Sequence, residues 1–262
     1  MIKLYAMLLL LKKVCKMKKI LDICYSEKTK QCLDIYLPDA DEFKTFVYFH
    51  GGGIEAGDKS DVLHFCTYLA EHGIAAISVN YRMYPTAKYP EFIEDVAESV
   101  AWAFKNINNY GNSTGIYVGG SSAGGYMSQL LCFNNEYLAK HNINVMDIAG
   151  FVHDAGQPTA HFNVLKKSGV DGRRLIVDET APLYYVGIDN EYPPMLIIVS
   201  DHDMVNRFEQ TELLISTLKH FGHGDKIAYK LMHGNHCAYV EAETQDGDGG
   251  FGKVVTDFIL AN

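Results

Sequence analysis

The chain reads as a doubly wound α/β domain, a mostly parallel sheet with helices on both faces. Three observations predict this. Short runs such as 45–50 (TFVYFH), 74–81 (IAAISVNY) and 195–200 (MLIIVS) are dominated by apolar residues instead of alternating with polar ones. Strands covered on both faces have that pattern. Between them lie segments whose apolar residues recur at helical spacing, so strand and helix alternate along the chain. Finally, 262 residues with 48% hydrophobic and 21% charged content suit one soluble core that needs no staples.

The elements follow in order. Residues 21–39 read as two strands with a polar turn at 26–30, closed by Pro38. This opening pair predicts an antiparallel edge. Residues 45–50 are a buried strand ending in glycines, and 61–73 a helix stopped by Gly73. After the strand 74–81 comes a helix over 89–111, with Pro90 near its start and Gly111 at its end. Residues 115–120 form a third parallel strand, followed by a helix from about 123 to 133, and 147–155 form a fourth. The segment 156–194 is too long for an ordinary connection; one or two short helices and a covering, lid-like role are expected there. Strand 195–200, helix 206–222, strand 226–232 and helix 251–262 complete the chain. The expected organisation is an N-terminal extension over 1–19 and a single domain over 20–262.

The net charge of −9 argues against nucleic acid and anionic membranes as partners, since both need a basic face. The six cysteines, Cys15, Cys24, Cys32, Cys66, Cys132 and Cys237, are scattered and read as reduced core residues of a cytoplasmic protein. The N-terminal run is too short to span a bilayer, is broken by Lys12 and Lys13, and lacks a small-residue cleavage site. A helix or an extension is expected there, and Met17 offers an alternative start.

The chemistry centres on Tyr117–Leu131, YVGGSSAGGYMSQLL. A serine on a sharp strand-to-helix turn needs small neighbours two positions away on each side, the G-x-S-x-G pattern. Only Gly120-Ser121-Ser122-Ala123-Gly124 fits; centring on Ser121 would require glycine where Ala123 stands. Ser122 is therefore the candidate nucleophile. A serine hydroxyl needs a base and donors for the oxyanion it creates. Donors are expected from His50-Gly51-Gly52-Gly53, where consecutive glycines let N–H groups turn inward, together with the N–H of Ala123. A phosphate-binding reading of that loop lacks the Lys-Ser/Thr register. Candidates for the acid and base follow two later strands: Asp201 or Asp203, and His233 or His236.

The segments YFHGGGIEAGDK, YRMYP…YPEFIEDVAESVAW, VGGSSAGG, MLIIVSDHDMV and LMHGNHCAY, in this order, resemble the α/β-hydrolase fold. Within it they are similar to the hormone-sensitive-lipase and feruloyl/acetyl-esterase (BD-FAE-like) branch, over roughly residues 20–262. The resemblance implies a mostly parallel central sheet, helices on both faces and a short lid insertion. It implies Asp203 over Asp201 as the acid, His236 over His233 as the base, and Gly52, Gly53 and Ala123 as oxyanion donors. It also implies a structural Arg82–Asp95 salt bridge. Departures are Cys237 after the histidine, Ser200 ahead of the acid, and a YRMYP segment without a following acidic residue. The last leans toward smaller-lid sugar-ester and formamidase-like relatives.

The expected activity is that of a carboxylic-ester hydrolase acting on a small-molecule ester, with no cofactor and no metal. Acetylated sugars and aryl esters suit a short lid. An amide-cleaving relative, such as an arylformamidase or small peptidase, and a non-catalytic binding protein are the rivals. His220-x-x-His223 and His233-x-x-His236 lack a carboxylate at helical spacing and are not expected to bind metal. Tyr184, Tyr185 and Tyr192 line a pocket or simply pack. Oligomeric state is not legible.

Overall fold

The computed structural model describes residues 17–188, 191–242 and 250–262. Among these, eight strands form one sheet in the order β1-β2-β4-β3-β5-β6-β7-β8. The strands are β1 Lys18–Cys24, β2 Cys32–Leu37, β3 Glu42–Phe49, β4 Ile74–Val79, β5 Asn112–Ser121, β6 Gly150–Asp154, β7 Met195–His202 and β8 Ile227–Asn235. The β1/β2 and β2/β4 pairs are antiparallel and the other five pairs parallel. The antiparallel edge expected from the opening strand pair is present. The anticipated extension 1–19 overlaps β1, where Lys18 pairs with Leu37 and Lys19 with Tyr36; residues 1–16 lie outside the described part.

Because successive side chains of a strand point to opposite faces, an apolar run feeds two cores at once. On β3, Val47 and Phe49 pack on one face while Phe46 and Tyr48 pack on the other. The first face is covered by α2 (Glu91–Asn106), α3 (Ala123–Phe133) and α7 (Arg207–His220), through Phe92, Val96, Met127, Leu130 and Leu214. The second is covered by α1 (Leu63–Glu71) and α8 (Phe251–Ala261), through Phe65, Leu69, Phe251 and Val255. Two short helices, α5 (Phe162–Lys167) and α6 (Pro182–Tyr185), occupy the long segment after β6, and α4 (Glu136–Ala139) follows α3.

Several boundaries move. The helix expected at 61–73 is preceded by a 3₁₀ turn, Lys59–Val62, capped by the Asp58 side chain on the Ser60 N–H. The helix expected over 89–111 ends at Asn106 and relaxes into a 3₁₀ turn, so Gly111 stops a turn and not the helix. Of the expected strand 147–155 only Gly150–Asp154 pairs, because Asn144 caps a 3₁₀ turn over Val145–Asp147. Arg82 grips the buried Asp95 bidentately, Nε to Oδ2 and Nη2 to Oδ1, each at 2.8 Å. Cys66 and Cys132 are buried thiols, whereas Cys24 is exposed and Cys32 and Cys237 are half-buried, so the all-core reading of the cysteines holds only in part. Among the described residues no helix is long and apolar enough to cross a membrane.

Candidate active site

Ser122 sits between β5 and α3 with φ 57° and ψ −112°, a conformation that L residues rarely adopt. The flanking glycines explain how the chain reaches it. A Cβ on Gly124 would lie 1.9 Å from the Phe49 carbonyl oxygen, and one on Gly120 2.5 Å from the same atom. Any larger residue would push the elbow off β3. The backbone is then fixed by the Ser122 N–H donating to the Asp154 carbonyl at 2.8 Å.

His236 follows β8, and its Nε2 stands 2.8 Å from Ser122 Oγ. Its Nδ1 lies 2.5 Å from Asp203 Oδ1, so the hydrogen-bonded chain runs serine, imidazole, carboxylate. Asp203 is itself oriented: Ser200 Oγ–H donates to Oδ2 at 2.8 Å and the Met204 N–H to Oδ1 at 2.7 Å. Burial pushes the Asp203 pKa up, but the hydrogen bond and charge of His236, with Ser200 and Met204, outweigh it and hold the carboxyl below its usual value. An ionised carboxylate on Nδ1–H leaves the Nε2 lone pair facing the serine.

The other residues the sequence offered also pair. His233 Nδ1 lies 2.6 Å from Asp201 Oδ2, but this pair is exposed and makes no bond to Ser122. Sequence spacing could not separate two Asp–His pairs that share the same two strand ends; the position of Ser122 does.

The glycine loop after β3 lies against Ser122. A Cβ on Gly51 would come within 3.3 Å of the Ser122 Cβ. Gly52, at φ 103°, is folded so tightly that its Cβ would overlap the Ala56 carbonyl. Among the described residues the N–H groups of Gly52, Gly53 and Ala123 make no hydrogen bond. His50 borders the same cavity as Ser122 but makes no hydrogen bond to it among the described residues: it stacks on Tyr81 at 4.4 Å, and burial lowers its pKa.

Two contributors escaped the sequence reading. Asn163, on α5, donates from Nδ2 to the Gly53 carbonyl at 2.7 Å and to Glu55 Oε2 at 3.1 Å, tying the long segment to the glycine loop. Asp154, at the end of β6, is fully buried beneath the elbow. Tyr239 donates to its Oδ1 at 2.6 Å, while Oδ2 has no hydrogen-bond partner among the described residues. Burial pushes its pKa up to about 6, against the pull of Ser121, Tyr239 and His236. Its only sequence signal was a carboxylate closing an apolar run. Ser121, whose Oγ accepts from Tyr48 at 2.8 Å, belongs to this understructure, and among the described residues it makes no hydrogen bond to His236.

An open cavity of about 390 Å³ covers Ser122 and His236, lined also by Tyr48, Gly51, Gly52 and Val240. A neighbouring one of about 450 Å³ lies among Phe162, Lys166, Leu175, Met204 and Gln210. Neither is lined by the tyrosines of the long segment: Tyr192 is buried against Phe133 and His223, and Tyr184 is exposed.

The BD-FAE family profile matches residues 33–218. The probable carboxylic ester hydrolase LipM of Mycobacterium tuberculosis (strain ATCC 25618 / H37Rv) is 37% identical over 116 residues, 42% of this chain and 27% of that one. Kynurenine formamidase of Danio rerio is 26% identical over 114 residues, 43% and 38% of the two chains. The chain spans between 24% and 54% of the length of these and similar curated relatives. Among solved structures, esterase B of Lactobacillus rhamnosis, crystallised with a C6-C4 SN3 inhibitor, superposes with a TM-score of 0.78 at 19% identity, covering 94% of this chain and 87% of that one. A profile match that starts in β2, runs through the glycine loop and the elbow, and ends inside α7 takes in most of the sheet; the chain belongs to the BD-FAE family of α/β-hydrolases.

Proposed function

We propose that the protein is a serine carboxylic-ester hydrolase that cleaves small acyl esters through an acyl-enzyme formed on Ser122. The observation that carries this reading is the hydrogen-bonded run Ser122–His236–Asp203, at 2.8 and 2.5 Å, on an elbow that admits no side chain at Gly120 or Gly124. As Ser122 Oγ bonds to the ester carbonyl carbon, its proton passes to His236 Nε2, and Asp203 stabilises the imidazolium. The carbonyl oxygen takes the negative charge and receives the N–H groups of Gly52, Gly53 and Ala123, each worth roughly 3–4 kcal/mol in the transition state. Collapse breaks the bond to the alkoxy oxygen, which leaves with the proton from His236. Water then repeats the sequence, releasing the acid and restoring Ser122.

Modest, open cavities favour short acyl groups, with acetylated sugars and aryl esters the substrates to examine first. The named activity of the formamidase relative supports an amide-cleaving alternative. A panel of p-nitrophenyl esters from acetate to laurate, alongside acetyl-xylan and N-formylkynurenine, separates these readings. The ester reading expects kcat/KM to be greatest on the shortest chains and to exceed that on the formamide. The reverse ranking would transfer the assignment to the amide reading. Turnover of nothing in the panel would point to a binding protein.

A further inference from the structure

Asp201, His202 and His233 form a cluster that plays no part in the run from Ser122 to Asp203. Asp201 and His202 end β7, and His233 lies near the end of β8. Parallel pairing of these strands, with His202 opposite Asn235, brings the three together. The Asp201 carboxylate meets His233 Nδ1 at 2.6 Å through Oδ2 and His202 Nδ1 at 2.9 Å through Oδ1. The Gly234 N–H also donates to Oδ1, at 2.9 Å. All three donor atoms lie within 4.8 Å of one another.

Two imidazole nitrogens and a carboxylate oxygen are the donor set of zinc-type ions; calcium and magnesium prefer oxygen alone. Bonds of about 2.0–2.2 Å place tetrahedral ligand atoms about 3.3 Å apart. The observed 2.6 and 2.9 Å separations therefore need to open by about half an ångström. The histidine side chains are 66% and 86% exposed, so rotation alone achieves this without moving either strand. Gly234 N–H already does what an outer-sphere group does in metal sites, fixing the ligating carboxylate. The solvent side leaves a position for water.

We propose that Asp201, His202 and His233 form an open, Zn²⁺-class metal site that clasps the ends of β7 and β8, the strands that deliver Asp203 and His236. Each imidazole, neutral and carrying its proton on Nε2, gives its Nδ1 lone pair to the ion, and Asp201 gives a carboxylate oxygen. The site takes no part in the ester chemistry, so it stands or falls independently of that reading.

Calorimetric titration of the chelator-stripped full chain with ZnCl₂ tests it. The expected result is one ion per chain with a dissociation constant on the order of micromolar, in keeping with three exposed ligands. A rise in Tm of about 5 °C is expected at a hundredfold excess over that constant. His202→Ala and His233→Ala should each weaken binding by about tenfold or more, while His220→Ala leaves it unchanged. No saturable binding below millimolar zinc, or undiminished binding in the His202→Ala/His233→Ala double variant, would overturn the proposal. If that variant does not fold, Co²⁺ added to the wild type gives the answer. Intense visible bands from nitrogen ligation support the site, and an unchanged aqueous spectrum overturns it.

Discussion

Asp154 accepts the Ser122 N–H on its backbone oxygen while its carboxyl is sealed beneath the elbow. Its pKa of about 6 lies above the ordinary 3.8, because burial penalises the charge. Between those values the folded protein holds a proton that the unfolded chain has lost, so this group's contribution to stability falls as pH rises. The full loss, present above about pH 6, is about 3 kcal/mol. Asp154→Asn has no such titration. Urea unfolding at pH 4 and pH 7 should therefore show the variant gaining about 2–3 kcal/mol relative to the wild type over that interval. Parallel stability curves would remove the assignment of a raised pKa. At this scale the sequence offers one register where sterics leave one choice: Gly120 and Gly124 flank Ser122 and not Ser121, and it is Ser122 Oγ that bonds to His236. The sequence was not legible for Asp154, since a carboxylate ending an apolar run looks the same whether it is capped by water or sealed against Tyr239. Nor could spacing reveal Asp201, His202 and His233 together, because His233 joins its partners across β7 and β8 and not along its own segment.

Among the elements, α5 carries the least expected duty. It is six residues long, too short to be stable by itself. It is held by packing and by Asn163, whose amide spans the Gly53 carbonyl and Glu55. We expect Asn163→Ala to loosen the glycine loop and misplace the Gly52 and Gly53 donors. The measured effect should be about a tenfold loss of kcat with little change in KM, because those donors act on the transition state and not on the bound ester. A rise in KM alone would instead assign Asn163 to substrate binding. Similarly, Arg82→Met should cost roughly 3 kcal/mol in thermal unfolding, because it strands the buried Asp95 charge at the start of α2. An effect below ~1 kcal/mol would mean that Asp95 finds other partners. Strands and long helices were legible because their hydrophobic period is unbroken. Helix ends drifted where side chains cap 3₁₀ turns, as Asp58 and Asn144 do. The short helices of 156–194 were foreseen in kind only: no periodicity develops in six residues, and their seats come from tertiary contact.

For the whole molecule, one sheet does two jobs. Its apolar strands feed a core on each face, and the carboxyl ends of β3, β5, β7 and β8 deliver the glycine loop, Ser122, Asp203 and His236 to one rim. The doubly wound architecture was readable from alternation, whereas choosing between the two Asp–His pairs required either family resemblance or the three-dimensional register. The central claim is that Ser122, activated by His236, is the nucleophile. Its most direct test is peptide mass spectrometry after brief treatment with a fluorophosphonate probe. The account predicts one adduct, on Ser122, absent from Ser122→Ala and slowed at least about a thousandfold in His236→Ala. An adduct on Ser121, or unimpaired labelling without His236, would contradict it.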